Sequence, residues 1–336
     1  MKTASGDYRD DPKIQEDERK VMDEIAIDES KTRPWVTDLV KGRALGCMYG
    51  LLVGDALGAP FEFMDEGTYE VPEEGEYASG GMHGVGPGEW TDDGAMALAL
   101  ADSLASVGWD RSDQLDRYLN WMYHGEYSSR GFCFDIGVTT SRSLDRYAES
   151  GDPDYAGKPL GRRCAGNGSI MRLAPVPVWC ALTYEKTEDA IKAAERLGRA
   201  SSTTTHGHRR CVDSAGALSK HLCRLIRGEV SSAVPPLGND KDPRKEGDLG
   251  VSGYVVDTLD AALWCCSEPR TDSRFKFGRI VRKAVSLGGD TDTVGAVTGQ
   301  IAGAKWGVDN IPSGWLLGLE GRDIAQRIIT RLVEGD

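Results

Sequence analysis

Gly46-Cys47-Met48-Tyr49-Gly50-Leu51-Leu52-Val53-Gly54-Asp55-Ala56-Leu57-Gly58 is the stretch on which the fold turns. From Val40 to Phe63 small and apolar residues run almost all round the projected axis, the pattern of a helix buried in the centre of a domain. Gly46, Gly50, Gly54 and Gly58 recur every four residues. That spacing strips one face of side chains and lets another element, or a ligand, approach the backbone closely. Close helix packing is the expected use, and the polar flanks argue against a membrane helix.

Working outward, the run Ala95-Met96-Ala97-Leu98-Ala99-Leu100-Ala101 reads as a second buried helix, with Thr91 and Asp92 at its start. It follows a Gly-rich, irregular stretch from Glu66 to Gly88. Periodicity predicts further helices over 112–124, 133–149, 187–200, 209–228, 253–266, 275–286, 292–306 and 320–333. Turn-rich linkers such as Gly151-Asp152-Pro153-Asp154 and the charged stretch 231–250 lie between them. No segment alternates as a strand would, so the fold class is all-α, compact and built as one unit.

Residues 1–38 differ from the remainder, with eleven acids, seven bases and few large apolar side chains. They read as an acidic N-terminal extension ahead of a catalytic domain at 39–336. Ile14, Glu18, Val21 and Ile25 would share a face of a helix over 13–29. The segment is either a loosely docked tail or an arm that binds a partner.

The chain has 53 acidic and 40 basic residues, a formal net charge of -13. That charge repels phosphate backbones and excludes general binding to nucleic acid or anionic membrane, though a local pocket for one phosphorylated ligand stays open. No apolar run of membrane length and no signal peptide is recognised, so a cytoplasmic protein is expected. Eight scattered cysteines without a C-x-x-C pair fit reduced, buried thiols and argue against a zinc site or disulfide scaffold.

The chemistry concentrates in two clusters. Thr91-Asp92-Asp93-Gly94 opens a helix, where capping explains one acid but not two. Gly288-Gly289-Asp290-Thr291-Asp292-Thr293 repeats the arrangement two hundred residues later. Carboxylates converging at helix starts repel one another unless neutralised, and hydroxyl with carboxylate oxygens is the donor set that Mg²⁺ or Mn²⁺ prefers. Two ions suit so many acids better than one. Gly166-Asn167-Gly168-Ser169 is a third motif, whose backbone amides are expected to be open to an anion such as a diphosphate.

Together these motifs resemble the ADP-ribosylglycohydrolase family. The matching residues are Gly46 to Gly50 with Gly54 to Gly58, Trp90-Thr91-Asp92-Asp93, Gly166 to Arg172, Thr205-His206, and Gly288 to Thr293, spread over about 42–307. The resemblance implies an all-α fold with a dinuclear magnesium centre whose ligands are Thr91, Asp92, Asp93, Asp290, Asp292 and Thr293. It implies substrate contacts from Asn167, Gly168, Ser169 and His206. Glu62 matches a glutamate that some members place near the metals on a mobile segment. Asp55 either supports the ligands from behind or fixes the helix turn, and His208, outside the matched motifs, is expected at the surface.

The reaction so implied is hydrolysis of the glycosidic bond between the distal ribose of ADP-ribose and a protein side chain, most readily arginine. Asp92, Asp93, Asp292 and Glu62 are the candidates for proton transfer. A second expectation is an immunity protein that neutralises a cognate ADP-ribosyltransferase toxin through residues 1–38, since some bacterial relatives resemble that design. A third, a two-metal phosphoesterase, shares the metals but not the bond cleaved.

Overall fold

The structure, a computed structural model, describes residues 33–159, 161, 164–229, 249–267 and 276–335. The helix expected over 13–29 and most of the linker 231–250 lie outside them. The described residues form α1 (Asp38–Gly58), α2 (Asp92–Val107), α3 (Arg111–His124), α4 (Val138–Ser150), α5 (Pro153–Ala156), α6 (Pro175–Thr183), α7 (Thr187–Ser202), α8 (Arg209–Ile226), α9 (Val255–Cys266), α10 (Lys276–Val285), α11 (Thr291–Trp306), α12 (Ser313–Leu317) and α13 (Arg322–Glu334). Among them no strand occurs. Two isolated antiparallel bridges, Gly80 with Val85 and Gly166 with Tyr254, are the nearest approach to one.

The glycine stripe does what its spacing suggests. α1 and α11 run antiparallel in direct backbone contact, with Gly46 against Gly303, Gly50 against Gly299, Gly54 against Gly295, and Gly58 against Thr291. A methyl group built on any of the four α1 glycines would collide with the facing backbone carbonyl. This pair is buried along most of α11 and along α1 from Gly46 onward except at Tyr49. α9 and α10 pack against α11, while α2, α3 and α13 close the other side and α6 to α8 pack together beside them. The register also has a functional effect, because it sets Asp55 beside the start of α11.

The chain turns into α1 at Thr37, whose hydroxyl accepts from the Val40 amide at 3.4 Å. Just ahead of it, the Trp35 indole donates to the Leu182 carbonyl at 3.3 Å. The α-helix stops at Gly58 rather than running to Phe63, because Pro60 has no amide to continue the ladder. A single 3₁₀ turn, Ala59–Phe61, follows and carries Glu62 off the helix axis. Asp38–Phe61 is long and apolar enough to cross a membrane, contrary to expectation, but 89% of its most apolar window is buried inside the protein.

Two local readings need correction. Helix α4 begins at Val138, not at 133, because Asp135 takes a left-handed φ of 53° and Gly137 is extended, so 133–137 are loop. Helix α6 is absent from the helices that periodicity predicts, and it carries Pro175 and Pro177. Both fall in the first turn, where a missing amide costs no intrahelical bond. All eight cysteines are free, and seven of them are buried.

Candidate active site

Two helix N-termini meet at the site. α2 begins at Asp92 and α11 at Thr291, so Asp92, Asp93 and Asp292 all stand in first turns, where the helix dipole favours negative charge. Thr91 links them. Its hydroxyl donates to Asp55 at 3.0 Å and lies 3.4 Å from Asp292 Oδ2. Asp55, fully buried on α1, also accepts from the amides of Thr91 at 3.0 Å and Gly94 at 2.8 Å. It therefore caps α2 from a neighbouring helix and holds the Thr91 hydroxyl next to Asp292. The two roles left open for Asp55 are one arrangement.

The loop before α11 needs its glycines. Gly288 and Gly289 take φ of 77° and 70°, and a side chain on Gly289 would strike the Val251 carbonyl. The reversal lets Phe63 N donate to Gly289 O at 2.7 Å and Gly289 N to Met64 O at 2.9 Å. Glu62 is thereby pinned beside Asp290, and Phe63 pays with a left-handed φ of 61°. Carboxylate oxygens of Glu62, Asp290 and Asp292 all lie within 4.8 Å of one another.

A cleft of about 250 Å³ opens over this cluster, and its lining includes Glu62, Asp92, Asp135, Asp290, Asp292 and Thr293 together with Gly166, Asn167, Gly168 and His206. Thr91, Asp93 and Ser169 are buried but do not line it. Asn167 lines the cleft and is also tied to the acidic cluster. Its side-chain amide donates to Asp290 at 2.9 Å and to Thr258 at 3.0 Å, so it holds a carboxylate in place. Its backbone amide goes to Gly253 O at 3.1 Å, and the amides of this loop without an acceptor among the described residues include those of Gly168 and Ser169.

Burial and mutual repulsion dominate the electrostatics. Desolvation first, then neighbouring carboxylates, hold Asp92, Asp93 and Asp292 well above the usual carboxylate range. Burial with Asp135 and Asp290 pushes Glu62 up to about 8, and burial raises Asp55 to about 7 against the pull of its three hydrogen bonds. One oxygen of Asp93 is buried with no hydrogen-bond partner, and Glu62 Oε2 faces His83 Nε2 at 3.3 Å without a well-formed hydrogen bond. Such a set of oxygen donors with orphaned atoms suits a hard divalent cation, whose charge would relieve both the repulsion and the unmet bonds. Burial and then Arg172 lower the His206 pKa to about 3, so its ring is neutral.

Sequence reasoning missed Asp135 and His83. His83 Nε2 lies 3.1 Å from Asp135 Oδ1 and 3.3 Å from Glu62 Oε2, bridging the two acids at the rim. Asp135 falls in the first turn of the helix that periodicity predicts over 133–149, and neither residue carries a local signature. The left-handed turn that aims Asp135 inward is visible only in three dimensions. His208, by contrast, caps α8 through its ring, accepting from Arg210 N at 3.2 Å.

A family sequence model described as ADP-ribosylglycohydrolase matches residues 37–336. The chain is 35% identical over 288 residues to ADP-ribosylarginine hydrolase Tri1 of Serratia proteamaculans, covering 82% of this chain and 74% of that protein. It is 34% identical over 306 residues to the glycohydrolase of ADP-ribosyl-dinitrogen reductase from Rhodospirillum rubrum, covering 88% and 95% respectively. A solved chain described as an ADP-ribosylglycohydrolase-related protein complex matches with a TM-score of 0.69 at 40% identity, over 89% of this chain and 99% of the other.

Proposed function

Since the chain belongs to the ADP-ribosylglycohydrolase family and is a hydrolase of ADP-ribose linkages, we propose that it removes ADP-ribose from modified arginine side chains of a protein substrate, using two Mg²⁺ ions, with Mn²⁺ an acceptable substitute. The observation that carries this reading is the gathering of the Glu62, Asp290 and Asp292 oxygens in a cleft that the Gly168 loop and a neutral His206 also line. The acids suit ribose hydroxyls gripped through cations, and the loop amides suit a diphosphate.

Thr91, Asp92, Asp93, Asp290, Asp292 and Thr293 would hold the ions, with Asp55 and Asn167 fixing Thr91 and Asp290 from behind. When bound, the ions supply charge neutralisation and Lewis acidity. Of the four carboxylates considered for proton transfer, Asp92, Asp292 and Glu62 reach the cleft and Asp93 does not. One of those three takes a proton from the attacking water as the bond to the leaving group breaks. Arginine is favoured over serine because the rim carries Glu62 and Asp135, which suit a cationic guanidinium, and because the Serratia relative is named for that linkage.

Peptides carrying ADP-ribose on arginine or on serine, incubated with the full chain and Mg²⁺, test the acceptor. Faster release from arginine is expected, and a preference for serine would contradict the assignment. We carry the toxin-neutralising role of residues 1–38 as a second reading, on the strength of their acid excess. Binding of a cognate transferase that survives deletion of those residues would rule it out. We place the protein in the cytoplasm, consistent with its free thiols.

A further inference from the structure

Arg172 is fully buried at the end of the Gly166 to Arg172 motif, where its guanidinium lies 4.9 Å from the centre of the Tyr118 ring. It donates to the Gly168 carbonyl at 2.5 Å, to Thr204 Oγ1 at 3.2 Å and to Thr205 Oγ1 at 2.7 Å. No carboxylate pairs with it among the described residues, so its bonds serve the loop and the two hydroxyls.

The bond to Thr205 sets the state of the next group. Thr205 Oγ1 lies 2.8 Å from His206 Nδ1. Arg172 can only donate, so the Thr205 oxygen accepts from it, and the threonine proton has no other acceptor among the described residues. A buried hydroxyl keeps its proton satisfied by giving it to Nδ1, which must then be the unprotonated ring nitrogen. Nε2 carries the hydrogen and faces the Gly166–Gly168 side of the cleft, where the missing side chain of Gly168 leaves room for the imidazole.

We propose that Arg172 and Thr205 are positioning residues. Through the relay Arg172 to Thr205 to His206 they lock the imidazole as an Nε2–H donor aimed at an oxygen of the bound ligand. By holding the Gly168 carbonyl, Arg172 also keeps the amides of that loop available to the same ligand. The inference rests on the ADP-ribose reading for the identity of the acceptor, but the tautomer is a property of the protein alone. His206 then works as a fixed donor and takes no part in proton transfer.

Long-range ¹H–¹⁵N spectra of the full chain, with His206 assigned through loss of its signals in His206→Gln, read the tautomer without ligand. Nε2 protonated and Nδ1 bare is expected; a protonated Nδ1 would overturn the proposal. Calorimetry with Mg²⁺ and ADP-ribose reads the consequence. Thr205→Val, which keeps the shape, and Arg172→Lys should each weaken ADP-ribose binding about tenfold and leave metal affinity unchanged, while Thr205→Ser should stay within about twofold. Wild-type binding by Thr205→Val would overturn the relay. Failure of the wild type itself to bind ADP-ribose would count against the functional reading, and the tautomer would still decide this one.

Discussion

Asp55 on α1 accepts the amide and the hydroxyl of Thr91, both at 3.0 Å, and so joins the core helix pair to the first turn of α2. Its two oxygens also serve the Gly94 amide, three donors in all. Asp55→Asn replaces one acceptor by a donor that faces those same groups. Metal affinity should fall about 10–100-fold, as when other residues that orient ligands are removed. Calorimetric titration with Mn²⁺ checks this, and an unchanged affinity would mean that Asp55 serves the helix start alone.

Asn167, which the family resemblance implies as a substrate contact, also spans Asp290 and Thr258 through its side-chain amide. Asn167→Ala should therefore weaken metal binding by roughly the same 10–100-fold, and extra Mg²⁺ should restore much of the lost activity. A variant with normal metal affinity and a raised KM would return Asn167 to the substrate.

Two glycines on α1 separate packing from helix propensity. Gly50 faces the backbone of Gly299, while Gly42 has open space around it. Gly50→Ala should destabilise by about 1–3 kcal/mol or more through overpacking. Gly42→Ala should stabilise by roughly 0.5–1 kcal/mol, because alanine is the better helix former. Denaturant melts of both variants check the pair, and equal effects would contradict the described register of α1 on α11.

The acidic cluster also predicts how metal-free stability depends on pH. In the folded state Asp92 and Asp292 hold their protons well above the usual range, chiefly through burial. The folded protein therefore binds more protons than the unfolded chain, and this contribution to stability falls as pH rises above about 4, the ordinary carboxylate value. In EDTA, Asp292→Asn should melt higher than wild type at pH 8, and the gap should shrink toward pH 5. Saturating Mg²⁺ should reverse the order at pH 8. A gap that does not vary with pH would show that the cluster is not strained.

Much of this site could be read from local sequence because its parts carry local signatures. The acids of Thr91-Asp92-Asp93 and Asp290-Thr291-Asp292 announce helix starts, and the four-residue glycine spacing announces close packing before the partner helix is known. What escaped depends on contacts across the chain. Asn167 meets Asp290 across 123 positions, and Asp135 reaches the cleft from a left-handed turn that periodicity misread as helix. Arg172 looked like the tail of a motif until its three acceptors were in place. Helix α6, nine residues long and buried all round but for its last residue, offers no amphipathic period to read.

The most direct test of the central claim is the product released from an arginine-ADP-ribosylated protein by the wild type and by Asp92→Ala with Asp93→Ala, each with Mg²⁺. Intact ADP-ribose from the wild type and almost none from the double variant is the predicted result. Release of AMP in place of ADP-ribose, or activity that persists in the double variant, would contradict it.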